Sequence, residues 1–330
     1  MLSSAVLRAE WQRRTVCGLD AHPQLADFAI SALEAEAQRR GVDVQRAAWY
    51  APTDDRQDPW LLRNLPPQFR RHLLRVCYLV GASAITSRSQ GRVRLHHQTY
   101  GSYNSLCPTE RFWCQPAVIE RRPEGFGSFG YSGFLLGHDT VLTCWHGWAH
   151  FAQEPQVAIF DYAARKPCDQ PVELPEEQVV TVEPYPVLQP SQPDRPANAA
   201  GDWVVLRLQR PRPAPPVTIA KVNVGTAVYT LGHPLGLPLK LADRARVLSA
   251  DDVSFRADLD TFTGNSGSPV FDAESHALVG LVVEGQKDQG DFEPSPTKRC
   301  YVTNRIDHLI SGQLVVAASS FFPPLAAVAS

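Results

Sequence analysis

The chain has one methionine in 330 residues, no C-x-x-C pair and no long apolar run. Its longest apolar stretch, Val76 to Ile85, is interrupted by Gly81 and Ser83. It falls short of the roughly 18 residues that a membrane helix needs, so no spanning segment is expected. The opening residues Met1 to Trp11 lack the apolar core of about 7 to 15 residues that a secretion signal carries, and a cytoplasmic location is expected. The cysteines, at 17, 77, 107, 114, 144, 168 and 300, are odd in number and scattered, as suits a reducing compartment. Neither sign of charge is in excess: 32 Lys and Arg stand against 34 Asp and Glu, net −2, so neither nucleic acid nor an anionic membrane is indicated as a partner. Apart from His146, His150 and His233, the histidines show no metal-ligand spacing. His96 and His97 are adjacent, so on a strand they face opposite ways and do not chelate one ion. Neither a metal nor a cofactor is expected, and no internal repeat is found.

An apolar content of 44% with 20% charged residues is that of a globular protein with a buried core, and the length allows two domains. Leu25 to Arg40 reads as a helix, with Leu25, Phe28, Ala29, Ala32, Leu33 and Ala37 on one face and Gly41 as its stop. A second helix is predicted from about Pro67 to Val80, stacking Phe69, Leu73, Val76 and Val80. Short strands and frequent turns begin near Cys107. The proline-rich Thr181 to Ala200 reads as a surface loop bridging two β-units.

The most informative segment is Thr263-Gly264-Asn265-Ser266-Gly267-Ser268-Pro269-Val270-Phe271, which sets one serine between glycines just before an apolar β-type run. An isolated G-x-S-x-G is more often a plain turn. Attack on a carbonyl, however, needs an exposed hydroxyl and backbone N–H donors within about 3 Å of the oxyanion, and Gly264 and Ser266 would supply the donors. A hydroxyl also needs an imidazole to take its proton and a carboxylate to orient that imidazole. Both exist upstream. His146 follows two strands joined by a tight turn at Gly137 to Asp139, with His150 as its local rival. Asp202 opens the apolar strand Trp203 to Leu208, with Asp194 and Asp161 as substitutes. His233, in a G-H-P turn, suits a structural role.

The order His146, Asp202, Ser266, the T-x-x-H at Thr143 to His146 and the G-N-S-G-S-P motif resemble the chymotrypsin-like serine peptidases, specifically the bacterial glutamyl-endopeptidase-like branch. Leu106 to Phe112, Leu231 to Lys240 and Asp258 to Phe262 fit the same branch, and the resemblance runs from about Tyr50 to Leu309. It implies a mainly β fold of two six-stranded antiparallel β-barrels with the triad in the crevice between them, preceded by a helical extension. The implied organisation is a helical N-terminal module at 1–48, a pro-segment-like extension at 49–104, the peptidase domain at 105–315 and a tail at 316–330. The implied activity is peptide-bond hydrolysis by a Ser-His-Asp triad, with a protein or peptide as substrate. A catalytically silent protein-binding scaffold of this fold and an esterase are the alternatives.

The resemblance also assigns a specificity pocket. Asp260, six residues before the nucleophile, stands where trypsin-like relatives select Lys or Arg; Thr261 adjoins it, and Val283 and Glu284 belong to the wall Val279 to Gly285. Glutamyl endopeptidases place a histidine on that wall and this chain does not, so cleavage after a basic residue is expected. Secreted relatives bridge a cysteine directly after the catalytic histidine to one before the S-G-F strand. Gly147 and Tyr131 hold those places here, so that bridge cannot form, while Cys107 and Cys114 are free to pair if the compartment is oxidising. Zymogen activation in trypsin-like relatives uses an Asp just before the nucleophile. Asn265 stands there, which favours control by a partner or by residues 1–48. That module resembles the effector-associated helical domains of bacterial conflict systems, with an ordinary helical cap as the alternative.

Overall fold

The computed structural model describes residues 67–95, 98–99, 116–117, 130–163, 173–184, 201–214, 217–284, 292–294, 301–303 and 312–325. All belong to the second of two compact units, Arg56–Ser330; the first, Met1–Asp55, lies wholly outside them. The expected helix at Leu25 to Arg40, the module at 1–48, the start of the pro-segment-like extension at 49–66, Cys107, Cys114 and Asp194 therefore fall outside the described residues.

Twelve strands build two closed antiparallel barrels. The first comprises β1 (Val76–Gly81), β2 (Tyr131–Leu135), β3 (Thr140–Thr143), β4 (Gln156–Phe160), β5 (Val179–Pro184) and β6 (Val204–Leu208). The second comprises β7 (Ala227–Gly232), β8 (Lys240–Ala250), β9 (Ser254–Ala257), β10 (Pro269–Asp272), β11 (Leu278–Glu284) and β12 (Gln313–Ala317). Within each barrel the neighbours run first, second, third, sixth, fifth, fourth before closing on the first. Both barrels thus wind identically although the sequence carries no repeat; closure removes the exposed edges that would otherwise recruit another chain. Among the described residues the α-helices are few: α1 (Pro67–Leu73), α2 (Trp145–His150) and α3 (Ala318–Leu325).

The helix expected from Pro67 to Val80 is real only as far as Leu73. Val76-Cys77-Tyr78-Leu79-Val80 instead forms β1, paired on one side with β2 (Tyr78↔Ser132) and on the other with β4 (Tyr78↔Ile159). Every residue of β1 is buried because both of its faces are covered. Cys77 and Leu79 point into the barrel core, whereas Tyr78 and Val80 pack under Val93 and Leu95 of an outer three-stranded sheet. A strand covered on both faces is apolar at every position, so it loses the alternation that distinguishes it from a helix. The first barrel accordingly starts ahead of the expected boundary at residue 105, and β12 crosses the expected start of the tail at 316. The proline-rich segment after β5 leads to β6, so it joins two strands of one barrel rather than bridging the two.

Residues from both barrels form one continuous core. Phe134 of β2 meets Phe271 of β10 edge-on at 5.4 Å between ring centres, and Leu206, Tyr229, Leu281 and Phe321 belong to the same cluster. Arg75, only 3% exposed, ties the α1–β1 junction to the end of β2: its Nε donates to Leu135 O and its Nη2 to Leu136 O, each at 2.7 Å.

Candidate active site

β3 stops at Thr143, Cys144 keeps an extended backbone (φ −77°, ψ 143°), and α2 begins, which places His146 in the first turn of a short helix. Backbone N–H groups there have no helical acceptor. The pairing of β3 with β6 supplies one. Val204 lies opposite Thr143, so the chain just ahead of β6 comes alongside α2 and delivers Asp202. Its Oδ1 accepts the His146 backbone N–H at 2.9 Å, and its Oδ2 contacts His146 Nδ1 at 2.7 Å. With Nδ1–H directed at the carboxylate, the lone pair lies on Nε2. Of the side chains, 37% of His146 and 17% of Asp202 remain accessible. The nearby Cys144 sulfur contributes most, and the hydrogen bond and charge of Asp202 add to it, in raising the His146 pKa above the ordinary histidine range; burial works in the opposite direction.

Of the alternatives, Asp194 lies outside the described residues, and the others make different contacts. His150 is exposed and lies edge-on to Phe151, and Asp161 accepts a hydrogen bond from Gln178 Nε2 at 3.1 Å. His233 is 1% exposed with Nδ1 3.0 Å from Leu237 O, and burial pushes its pKa down to about 3. It is a core histidine.

Ser266 sits on two consecutive turns. Asn265 N–H donates to Phe262 O at 2.9 Å and Ser268 N–H to Asn265 O at 2.8 Å, with Gly264 (φ +97°) and Gly267 (φ +84°) at the third position of each. Such type II turns require a positive φ there, and this is the physical content of the G-N-S-G pattern. Gly267 has a further reason to be glycine, since a Cβ would overlap Ser132 O and Thr143 Oγ1. Gly232 does too: a Cβ there would overlap Ser268 Oγ and Asn265 Oδ1. Ser266 is half-buried at the shoulder of the second turn. Among the described residues no acceptor takes the amide of Gly264 or of Ser266, and no hydrogen bond joins Ser266 Oγ to His146. The structure therefore joins two of the three predicted groups directly. The loop that carries the third, Ser266, abuts Ser132 and Thr143, the latter three residues before His146.

Tyr131 and Gly147, the positions that the resemblance sets against a disulfide, pack against each other. A Cβ on Gly147 would meet the Tyr131 ring and the Cys144 sulfur. Tyr131 stacks on Phe151, with ring centres 5.7 Å apart, and hydrogen-bonds Gln156, whose Nε2 donates to Trp148 O at 3.1 Å. The helix carrying His146 is thus held without a covalent link. Residue spacing does not reveal this network.

Of the predicted pocket, Asp260 is 8% exposed and Thr261 half-buried, just ahead of the first turn. Val283 is buried on β11, next to Val282, whose carbonyl accepts Gly267 N–H at 2.7 Å and whose N–H donates to Ser268 O at 2.9 Å. Glu284 ends that strand; its side chain and Gly285 lie outside the described residues. Among the described residues no His, Cys, Asp and Glu cluster suited to a metal occurs, and no helix is long and apolar enough to cross a membrane.

No curated protein matches the chain. Among solved structures, the Rv3671c protease in its inactive form is 17% identical, covering 83% of this chain and 97% of that one, with a TM-score of 0.42. The active form of that M. tuberculosis protease is 17% identical, covering 82% and 86%, with a TM-score of 0.41. Residues 131–281, from the start of β2 into β11 and including His146, Asp202 and Ser266, match the trypsin-like peptidase domain.

Proposed function

We propose that this chain is a serine endopeptidase in which Ser266 is the nucleophile, His146 the general base and Asp202 the group that orients it. One observation carries the reading. Asp202 grips His146 at both ring and backbone, while the twin turn presents Ser266 beside two amides that have no acceptor among the described residues. Nε2 takes the Ser266 proton as Oγ attacks the scissile carbonyl. The amides of Gly264 and Ser266 bind the oxyanion, the imidazolium returns its proton to the leaving amine, and water repeats the sequence on the acyl-enzyme. The test is labelling of the full chain by a fluorophosphonate, with Ser266→Ala as control. A label that persists in the variant rejects the reading. An unlabelled wild type supports the silent scaffold, and labelling with ester but no peptide hydrolysis supports the esterase.

The base acts only when neutral. Because the His146 pKa is raised, the active fraction grows with pH and is half-maximal above the ordinary histidine value of about 6.5. A pH profile of kcat/KM is expected to climb through neutrality into the alkaline range; a plateau already reached below pH 6 contradicts this.

Asp260 supports cleavage after Lys or Arg, since a buried carboxylate ahead of the nucleophile loop attracts a cation and repels an acidic side chain in a cleft of low dielectric. Digestion of a peptide library should show Lys or Arg before most cuts. Cuts mainly after Glu or Asp overturn it. The odd, scattered cysteines favour action in the bacterial cytoplasm, the resemblance of residues 1–48 to effector-associated domains implies recruitment of a regulatory partner in a conflict response, and Asn265 in place of the zymogen aspartate is consistent with such control.

A further inference from the structure

One residue of the first barrel holds the carbonyls of both residues whose amides are assigned to the oxyanion. Ser132 Oγ donates to Gly264 O at 2.8 Å, and Ser132 N–H donates to Ser266 O at 2.8 Å. The same hydroxyl accepts His233 N–H at 2.9 Å, and the Ser132 carbonyl accepts Thr143 Oγ1 at 2.6 Å. Ser132 is fully buried, and each of its polar atoms is engaged. Strand lengths explain why it is available. Gly133 is paired with Thr143, the last residue of β3, so the backbone of Ser132 extends beyond its neighbouring strand and the nucleophile loop occupies the vacant edge.

We propose that Ser132 is a positioning residue for the oxyanion hole, coupling the packing of the two barrels to the depth at which the Gly264 and Ser266 amides meet the cleft. With both carbonyls drawn into the first barrel, the loop cannot slide or rotate without breaking a buried hydrogen bond. Gly267 permits this close approach, because any side chain there would collide with the Ser132 carbonyl. The inference deepens the hydrolase reading and rests on it.

The experiment compares full-length wild type, Ser132→Ala and Ser132→Cys, the last nearly isosteric with a weaker donor. Fluorophosphonate labelling rate, kcat and KM on a cleavable peptide, and the thermal midpoint are measured for each. Ser132→Ala is expected to lose about 10²-fold in labelling rate and kcat, the scale of a lost oxyanion contact, with KM within about threefold. Ser132→Cys should fall between the two. A merely structural serine would reduce activity only in proportion to the folded fraction. The proposal is overturned if folded Ser132→Ala labels and turns over within about threefold of wild type, or if KM carries the loss. If Ser132→Ala does not fold, the same criteria applied to Ser132→Cys decide. Failure of the hydrolase reading shows separately, as a wild type not labelled at Ser266, and removes the proposal with it.

Discussion

Ser266→Ala and His146→Ala are each expected to lower turnover by about 10⁶, and the double variant to lose no more than either alone. In the proposed mechanism nucleophile and base form one reacting unit, so removing either member removes the whole relay. The fold offers little reason for a confounding loss of stability. Ser266 is half-buried, its Oγ makes no hydrogen bond among the described residues, and its position in the second turn accepts alanine without backbone strain. Ser266→Ala should therefore keep the wild-type thermal midpoint within a degree or two, which separates chemistry from folding. His146→Ala leaves the Asp202 carboxylate with only the backbone N–H, so a modest drop in stability is expected beside the kinetic effect. Single-turnover hydrolysis measures the kinetic loss and the thermal midpoint measures the change in stability. Retention of more than about 1% of turnover by Ser266→Ala would mean that another group attacks.

The nucleophile loop was legible because its constraint is local: two type II turns demand glycine at Gly264 and Gly267, and a positive φ leaves a mark on a single sequence. The pairing of His146 with Asp202 was legible only through chain order, since the contact depends on the β3–β6 register, a relation between strands more than fifty residues apart. β1 reads as part of a helix for the opposite reason. An outer sheet covers the face that would otherwise have been polar, and the alternation that identifies a strand disappears. Ser132 gave no signal at all: a small polar residue in an apolar strand becomes informative only when a carbonyl from the other barrel arrives 2.8 Å from its hydroxyl. The identical winding of the barrels was likewise hidden, because topology is set by which strands are buried together and not by which residues they contain.

Asp202→Asn should lower turnover by about 10⁴ while leaving the fold intact, and the reason is the double contact with His146. The carboxylate accepts twice, from the backbone N–H at Oδ1 and from Nδ1–H at Oδ2. An asparagine has one acceptor oxygen and one NH₂ donor, so its orientation must serve one of these contacts at the expense of the other. The backbone N–H cannot become an acceptor, whereas the imidazole can exchange tautomers. The amide oxygen therefore settles on the backbone N–H and the NH₂ faces Nδ1. Nδ1 must then accept, its proton moves to Nε2, and the lone pair that should receive the Ser266 proton is lost. Loss of the carboxylate charge also removes one of the influences that raise the ring's pKa, so the pH profile should shift towards acid as its amplitude falls. Nitrogen-15 NMR of the imidazole distinguishes the tautomers directly, with the Nε2–H form expected in the variant. A persisting Nδ1–H signal, or turnover within about tenfold of wild type, would show that Asp202 does not orient the base.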